Sequence, residues 1–260
     1  MSRTALDPVA SAAVITQARE GRTPRPLDFP AGLRPRDAAE AYAVQDAVVR
    51  ARGPIAGWKV GAASPQAQPA RAALTRDSVW VAAAGEPVLL AASGFAVMGV
   101  EAEWVYELRA DLPARATPYS AAEVLAAVVS VRAAIEVCDT RFAAWAQQGE
   151  WSRLADQACH GALIVGTGTH DVATAQPLAQ AVTLSVNGAV AVQHATWGNP
   201  AGDPLRLLVW LANEGARSLG GLRAGHWVTT GSCTGTVLVA PGAEVVADFP
   251  GLGQAVLHLR

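Results

Sequence analysis

Charge is scarce in this chain of 260 residues: 16% are Asp, Glu, Lys or Arg, and the formal net charge is −2. Without a basic excess, a nucleic-acid partner is not expected. Cysteine is scarce as well. Cys138, Cys159 and Cys233 form an odd set without a C-x-x-C pair. Neither a disulfide framework nor a thiolate zinc site is therefore expected, and a reducing cytoplasm is the expected location. No apolar run approaches the roughly 18–20 residues that span a bilayer, so no membrane partner is expected. The first twenty residues include acids and lack the apolar stretch of a secretory signal.

What is abundant is apolar surface. Hydrophobic residues make up 51% of the chain, enough to bury a sizeable core. Residues 5–20 are Ala-rich and read as a helix, and 21–36 as a Pro- and Gly-rich connector. Asp37-Ala-Ala-Glu40 and Ser120-Ala-Ala-Glu123 read as capping boxes, opening helices to about Arg52 and Ser130. A third long helix is expected over Leu205–Leu219. Gly57–Gly61 reads as a short strand, and 63–80 gives no clear signal. Strands are expected near 79–83, 87–90, 98–108, 131–138, 160–167, 181–193, 226–231, 236–239 and 244–248. The organisation is α+β: a helical N-terminal region over 1–78 and a β-rich body over 79–260.

Against this apolar background the acids of Val100-Glu101-Ala102-Glu103-Trp104 stand out. Side chains two apart on a strand share a face, so Glu101 and Glu103 project together while Val100, Ala102 and Trp104 turn the other way. Neighbouring carboxylates in apolar surroundings repel each other and lose hydration, and a cation relieves both penalties. Oxygen ligands suit Mg²⁺ or Mn²⁺. Glu136 interrupts a second apolar strand, Ala133–Cys138. Spacing alone leaves another reading open, in which these are strands whose polar faces meet water. Cys159 and His160 are neighbours on a strand and point apart, so they do not make a nucleophile pair. His160 reads as a satisfied core residue or a residue behind the site.

The chain resembles the fumarylacetoacetate hydrolase superfamily, and within it the 2-keto-4-pentenoate hydratases and the related 4-oxalocrotonate decarboxylases. The resemblance is carried by Gly57-Trp-Lys59-Val-Gly61, Glu101-Ala-Glu103, Ile135-Glu136-Val, Asp156-Gln-Ala-Cys-His160-Gly161, Asn199-Pro200 and Thr229-Thr-Gly-Ser-Cys-Thr-Gly235. It implies a mixed β-sandwich or roll of the superfamily's C-terminal-domain type. It also implies an Mg²⁺ or Mn²⁺ site of Glu101, Glu103 and Glu136. Lys59 would be the acid/base group, Asp156 a second catalytic candidate, and Ser232 and Thr234 would lie in the turn that holds a substrate carboxylate.

The implied reaction belongs to aromatic catabolism. Water adds to 2-hydroxypenta-2,4-dienoate, chelated to the metal, to give a 4-hydroxy-2-oxo acid. The alternatives are decarboxylation of a 4-oxalocrotonate-type acid, acylpyruvate hydrolysis, and a non-catalytic partner subunit. A homo-oligomer is implied, as is a complex with a pathway decarboxylase or aldolase. Two departures stand out. Gln157 follows Asp156 where relatives have Asn, and no acid aligns with the hydratase Asp that follows the Lys59 strand, Asp77 being nearby but misplaced. The residues themselves leave simpler readings open: Lys59 paired with a carboxylate, Asp156 capping a turn, Ser232 and Thr234 in an ordinary hairpin. Beside a metal, burial is expected to lower the Lys59 pKa.

Overall fold

A computed structural model describes residues 5–83, 86–145, 147–173 and 175–260. Its helices are α1 (Pro8–Arg19), α2 (Ala38–Arg52), α3 (Ala121–Ala126), α4 (Glu150–Ala155) and α5 (Pro204–Trp210), with short single turns between other elements. Its strands are β1 (Ile55–Gly61), β2 (Ala70–Thr75), β3 (Val79–Val81), β4 (Val88–Leu90), β5 (Gly99–Leu108), β6 (Leu112–Pro113), β7 (Val128–Cys138), β8 (His160–Thr169), β9 (Val182–Val186), β10 (Ala189–His194), β11 (Gly221–Leu222), β12 (Trp227–Ser232), β13 (Val237–Leu238), β14 (Glu244–Phe249) and β15 (Gly253–Leu259).

The larger mixed sheet runs β2-β1-β12-β5-β7-β8-β3, with β13 pairing on the start of β5; the smaller runs β10-β9-β14-β15-β4. Strand β15 packs across β7 and β8, and β14 across β5 and β7. Val100, Ala102 and Trp104 of β5 and Ile135 and Val137 of β7 meet Val245, Ala247, Phe249 and Leu257 of the smaller sheet in one core. Burial of large apolar side chains, each contributing about 1.5–3 kcal/mol, holds the layers together. The alternation expected for β5 is thus realised: its even positions fill the sandwich, and Glu101 and Glu103 face away from it. The α+β class and the layered β body are as anticipated.

The helices form a separate layer. Ile15, Phe29, Val44, Val48, Phe142 and Ala155 make a second cluster, and α2 joins it to β2. Asp7 caps α1 by accepting from the Val9 and Ala10 amides at 3.0 and 3.1 Å, and Asp37 caps α2 through the Glu40 amide at 2.9 Å. Both caps satisfy amides that a helix start leaves free. The expected boundary at 78/79 falls between β2 and β3, inside the run of strands. The helical region ends before Ile55, and β1 and β2 belong to the large sheet, with β1 lying parallel to β12. That pairing needs Gly57, where an added Cβ would stand 2.5 Å from the Trp227 carbonyl oxygen.

Other differences are local. The helix begun by Ser120 stops at Ala126, because the β-branched run from Val128 joins β7. The strand expected over 181–193 is a hairpin turned at Asn187-Gly188, both with positive φ. The Leu205–Leu219 helix opens into a wider turn at Leu211–Gly215. Among the described residues, no helix is long and apolar enough to cross a membrane.

Candidate metal centre and its lysine

Strand register builds the site on the outer face of the large sheet. Glu101 lies opposite Glu136 and Glu103 opposite Ala134 in the β5–β7 pair. Thr229 stands beside Lys59 in the β1–β12 pair, and Ser232 opposite Glu103 in the β12–β5 pair. The three glutamates and Lys59 therefore converge from three strands. Among the described residues, ligand atoms of Glu101, Glu136 and Cys138 lie within 4.8 Å of one another; Glu103, the third expected ligand, shares their face of the sheet but is not part of that group. Glu103 and Glu136 are fully buried, and Glu101 is half-buried.

The carboxylates are only half satisfied. The Thr229 hydroxyl donates to Glu103 Oε2 and the Thr236 hydroxyl to Glu101 Oε1. Among the described residues, Glu103 Oε1 and Glu136 Oε2 are buried without a hydrogen-bond partner. A buried carboxylate oxygen with no donor is costly, and a cation relieves that cost. Burial, then Glu136 and Glu101, hold Glu103 well above the usual carboxylate range; burial and Glu136 also raise Glu101. Burial opposes ionisation of Glu136 too, but the Lys59 ammonium and the His160 ring outweigh it and bring its pKa down to about 2. Burial, then Glu136, pushes the Cys138 thiol well up. The carboxylate oxygens on this face fit a hard divalent cation.

Lys59 Nζ lies 2.8 Å from Glu136 Oε1 and 3.1 Å from the Ala158 carbonyl. Burial alone would lower its pKa, but Glu136 in direct contact, with Cys138, Glu103 and Glu101 behind it, raises it instead. The lowered pKa expected from burial is thus reversed by a partner that the sequence could not place. Lys59 is also the only lysine among 260 residues.

Asp156, the second catalytic candidate, has its carboxylate engaged by its neighbours. Its Oδ2 accepts from the Thr140 hydroxyl at 2.9 Å and the Arg141 amide at 3.0 Å, and its Oδ1 accepts from Arg141 Nε. Its carbonyl accepts from the Cys159 amide at 2.9 Å. Between these bonds Gln157, Ala158 and Cys159 take φ values of 51, 49 and 62°, left-handed for three successive non-glycine residues. Such backbone costs about 1–3 kcal/mol per residue and persists only where its surroundings enforce it. Asp156 and Arg141 enforce it here, and the turn aims the Ala158 carbonyl at Lys59. Asp156→Ala would leave the Arg141 guanidinium buried and unpaired. We expect it to destabilise the chain by about 3–5 kcal/mol in urea unfolding, and a loss below 1 kcal/mol would refute this role.

The turn after β12 is divided. Ser232 is half-buried, facing Glu103 in the register. The Thr234 hydroxyl accepts from the Ala102 amide at 3.0 Å and donates to the Gly235 carbonyl at 3.2 Å, so it ties the turn to β5. Gly231 has φ 92°, and Asn199 Nδ2 donates to its carbonyl at 3.0 Å and to that of Thr230 at 2.8 Å. Ser78, which sequence reasoning missed, lies behind the site against His160. His160 Nδ1 is 2.8 Å from Glu136 Oε1, and burial depresses its pKa to about 4. A cavity of about 550 Å³ lies against the Ala158–Cys159 turn, lined also by Tyr42, Trp151 and Trp210.

Comparison with known proteins places the whole chain beside one group of enzymes. Residues 53–260 match the family model described as fumarylacetoacetate (FAA) hydrolase C-terminal. The chain is 32% identical over 250 residues to the 2-keto-4-pentenoate hydratase of Burkholderia vietnamiensis (strain G4 / LMG 22486), covering 90% of each protein. It is 30% identical over 184 residues to a 4-oxalocrotonate decarboxylase of Pseudomonas sp, covering 70% of this chain and 66% of the other. Among solved structures, the 4-oxalocrotonate decarboxylase from Pseudomonas putida G7, complexed with magnesium and adipate, superposes with a TM-score of 0.83 at 25% identity over the full length of both chains.

Proposed function

The chain belongs to the fumarylacetoacetate hydrolase family, and from that premise we propose that it adds water to 2-hydroxypenta-2,4-dienoate, giving a 4-hydroxy-2-oxo acid. The observation that carries this reading is Lys59 Nζ, 2.8 Å from one of three glutamates converging on one sheet face. Glu101, Glu103 and Glu136 would hold a divalent cation, Mg²⁺ or Mn²⁺; the Pseudomonas putida decarboxylase complexed with magnesium supports this. Such an ion supplies Lewis-acid polarisation of the substrate's carboxylate and 2-oxygen.

This chain's own residues handle the protons. Glu136 keeps Lys59 an ammonium, and the Ala158 carbonyl fixes its direction, so Lys59 is the acid that protonates C5 as the dienol becomes the 2-oxo form. The resulting amine is the base for the proton released from the 2-hydroxyl, which restores the ammonium. A positioned acid or base of this kind contributes about 10²–10⁴-fold. Water then adds at C4, its proton ending on C3. Asp156 acts by holding the turn under Lys59. Ser232, facing Glu103, is the better candidate for a substrate carboxylate, because the Thr234 hydroxyl is already spent on the backbone.

Decarboxylation of a 4-oxalocrotonate-type acid is the second reading, favoured by the full-length likeness to the Pseudomonas putida decarboxylase. The two reactions separate in one experiment. With Mg²⁺ and 2-hydroxypenta-2,4-dienoate, the dienol absorbance should disappear and mass spectrometry should find a product heavier by one water. Turnover only of the carboxylated substrate, with release of CO₂, would favour the decarboxylase. Inertness toward both would defeat the catalytic reading. A homo-oligomer and a complex with a pathway decarboxylase or aldolase belong to the same proposal.

A further inference from the structure

The two oxygens of Glu136 are used differently. Oε1 faces both Lys59 Nζ and His160 Nδ1, each at 2.8 Å, whereas Oε2 has no hydrogen-bond partner among the described residues although the residue is fully buried. His160 is 2% exposed and is held at its far end by Ser78, whose Oγ is 3.1 Å from Nε2. The Ser78 proton has two acceptors within reach, that nitrogen and the Thr75 carbonyl at 2.9 Å. The Arg141 guanidinium donates to the His160 carbonyl and fixes the backbone behind the ring. A bare Nδ1 so close to a carboxylate oxygen would set two lone pairs against each other, so Nδ1 carries the proton and donates.

We propose that His160 is the positioning residue that makes Glu136 a one-oxygen ligand. By occupying Oε1 it leaves Oε2 alone for the cation. It also holds the carboxylate in place while Lys59, the other donor on Oε1, gives up its proton. Ligating carboxylates are themselves oriented by hydrogen bonds, and losing such a partner costs about 10–100-fold in metal affinity. The proposal rests on the cation reading above but assigns a residue that reading does not need.

The test is Mn²⁺ binding to the full chain, followed by the electron paramagnetic resonance of free Mn²⁺, in wild type, His160→Asn and His160→Gln. The Asn nitrogen hangs from Cγ as Nδ1 does and restores the bond to Glu136. The Gln nitrogen reaches one bond further, to the Nε2 position, and restores only the bond to Ser78. His160→Asn should bind within about threefold of wild type and His160→Gln about 10–100-fold more weakly. Equal affinity of His160→Gln and wild type overturns the proposal, as does an equal loss in both variants, which would mark a packing role. Failure of the wild type to bind Mn²⁺ is a distinct result: it removes the cation reading, and this inference with it. Nitrogen-15 spectra of the wild-type rings cover the case of a variant that does not fold. One of the five histidines should carry a solvent-protected proton on Nδ1, and its absence also overturns the proposal.

Discussion

Glu103→Gln should weaken Mn²⁺ binding by more than about 100-fold, beyond the roughly 10–100-fold that loss of a ligand's hydrogen-bond partner costs. The same substitution should make the metal-free chain more stable at neutral pH. Glu103 is buried, faces two other carboxylates and has its pKa held well above 4.5. The folded chain therefore binds this proton more tightly than the unfolded chain, and stability falls as pH rises from the ordinary carboxylate range through the folded pKa. Gln removes that loss. The gain should be present at neutral pH and vanish below about 4.5, where Glu103 is protonated in both states. In a thermal melt of a chain this size each kcal/mol appears as about 2–4 °C. Saturating Mn²⁺ should stabilise the wild type and leave the variant nearly unmoved. Unchanged Mn²⁺ affinity would sink the metal centre, while a lower metal-free melting point would refute the account of the buried charges.

Lys59→Met should lose about 10²–10⁴-fold in turnover while still binding Mn²⁺. Met keeps the apolar stem and removes the ammonium. In the metal-free chain the effect on stability has the opposite sign from Glu103→Gln. Glu136 is fully buried, and losing Lys59 leaves its charge without a cation and hydrogen-bonded by the neutral His160 ring, a change that typically costs about 3–5 kcal/mol. Removal of the neighbouring positive charge should leave Mn²⁺ affinity equal or higher. Full turnover by Lys59→Met would overturn the proton-carrier role. Loss of both turnover and Mn²⁺ binding would reassign Lys59 to building the site. A chemical version is available in the unmutated protein. Reductive methylation can alkylate a single side-chain amine, since Lys59 is the only lysine, so inactivation can be matched to modification of the Lys59 peptide as distinct from that of the α-amino group.

How much of this was legible depended on distance along the chain. Alternation along β5 assigned Glu101 and Glu103 to one face and Trp104 to the other, because a strand's period is a local property. The pairing of Glu101 with Glu136 spans two strands and rested on family resemblance until the register was known. Strand β2 was unreadable in Ala-Arg-Ala-Ala-Leu-Thr, a sequence with little intrinsic strand preference that β1 recruits by pairing. The role of Asp156 was hidden for the same reason, since it depends on Arg141 lying across the turn. The sign of the Lys59 shift could not be read, because burial and a contacting carboxylate act in opposite directions and only geometry says which prevails. His160 reads from the sequence as a core residue or one behind the site; its contact with Glu136 follows from how β7 and β8 pair.

The alternation of β5 has a consequence for how this protein can vary over generations. Point changes on one face of β5 alter chemistry, and changes on the other alter packing, so each property can drift with little effect on the other. Loss or gain of a single codon within 100–104 is a different event. It would turn Trp104 to the face that now carries Glu101 and Glu103 and drive the carboxylates into the space that Val245, Ala247 and Phe249 now fill. Length changes should therefore collect in the turns between strands and be purged from β5, leaving this segment with a fixed reading frame even among distant cousins that share little else.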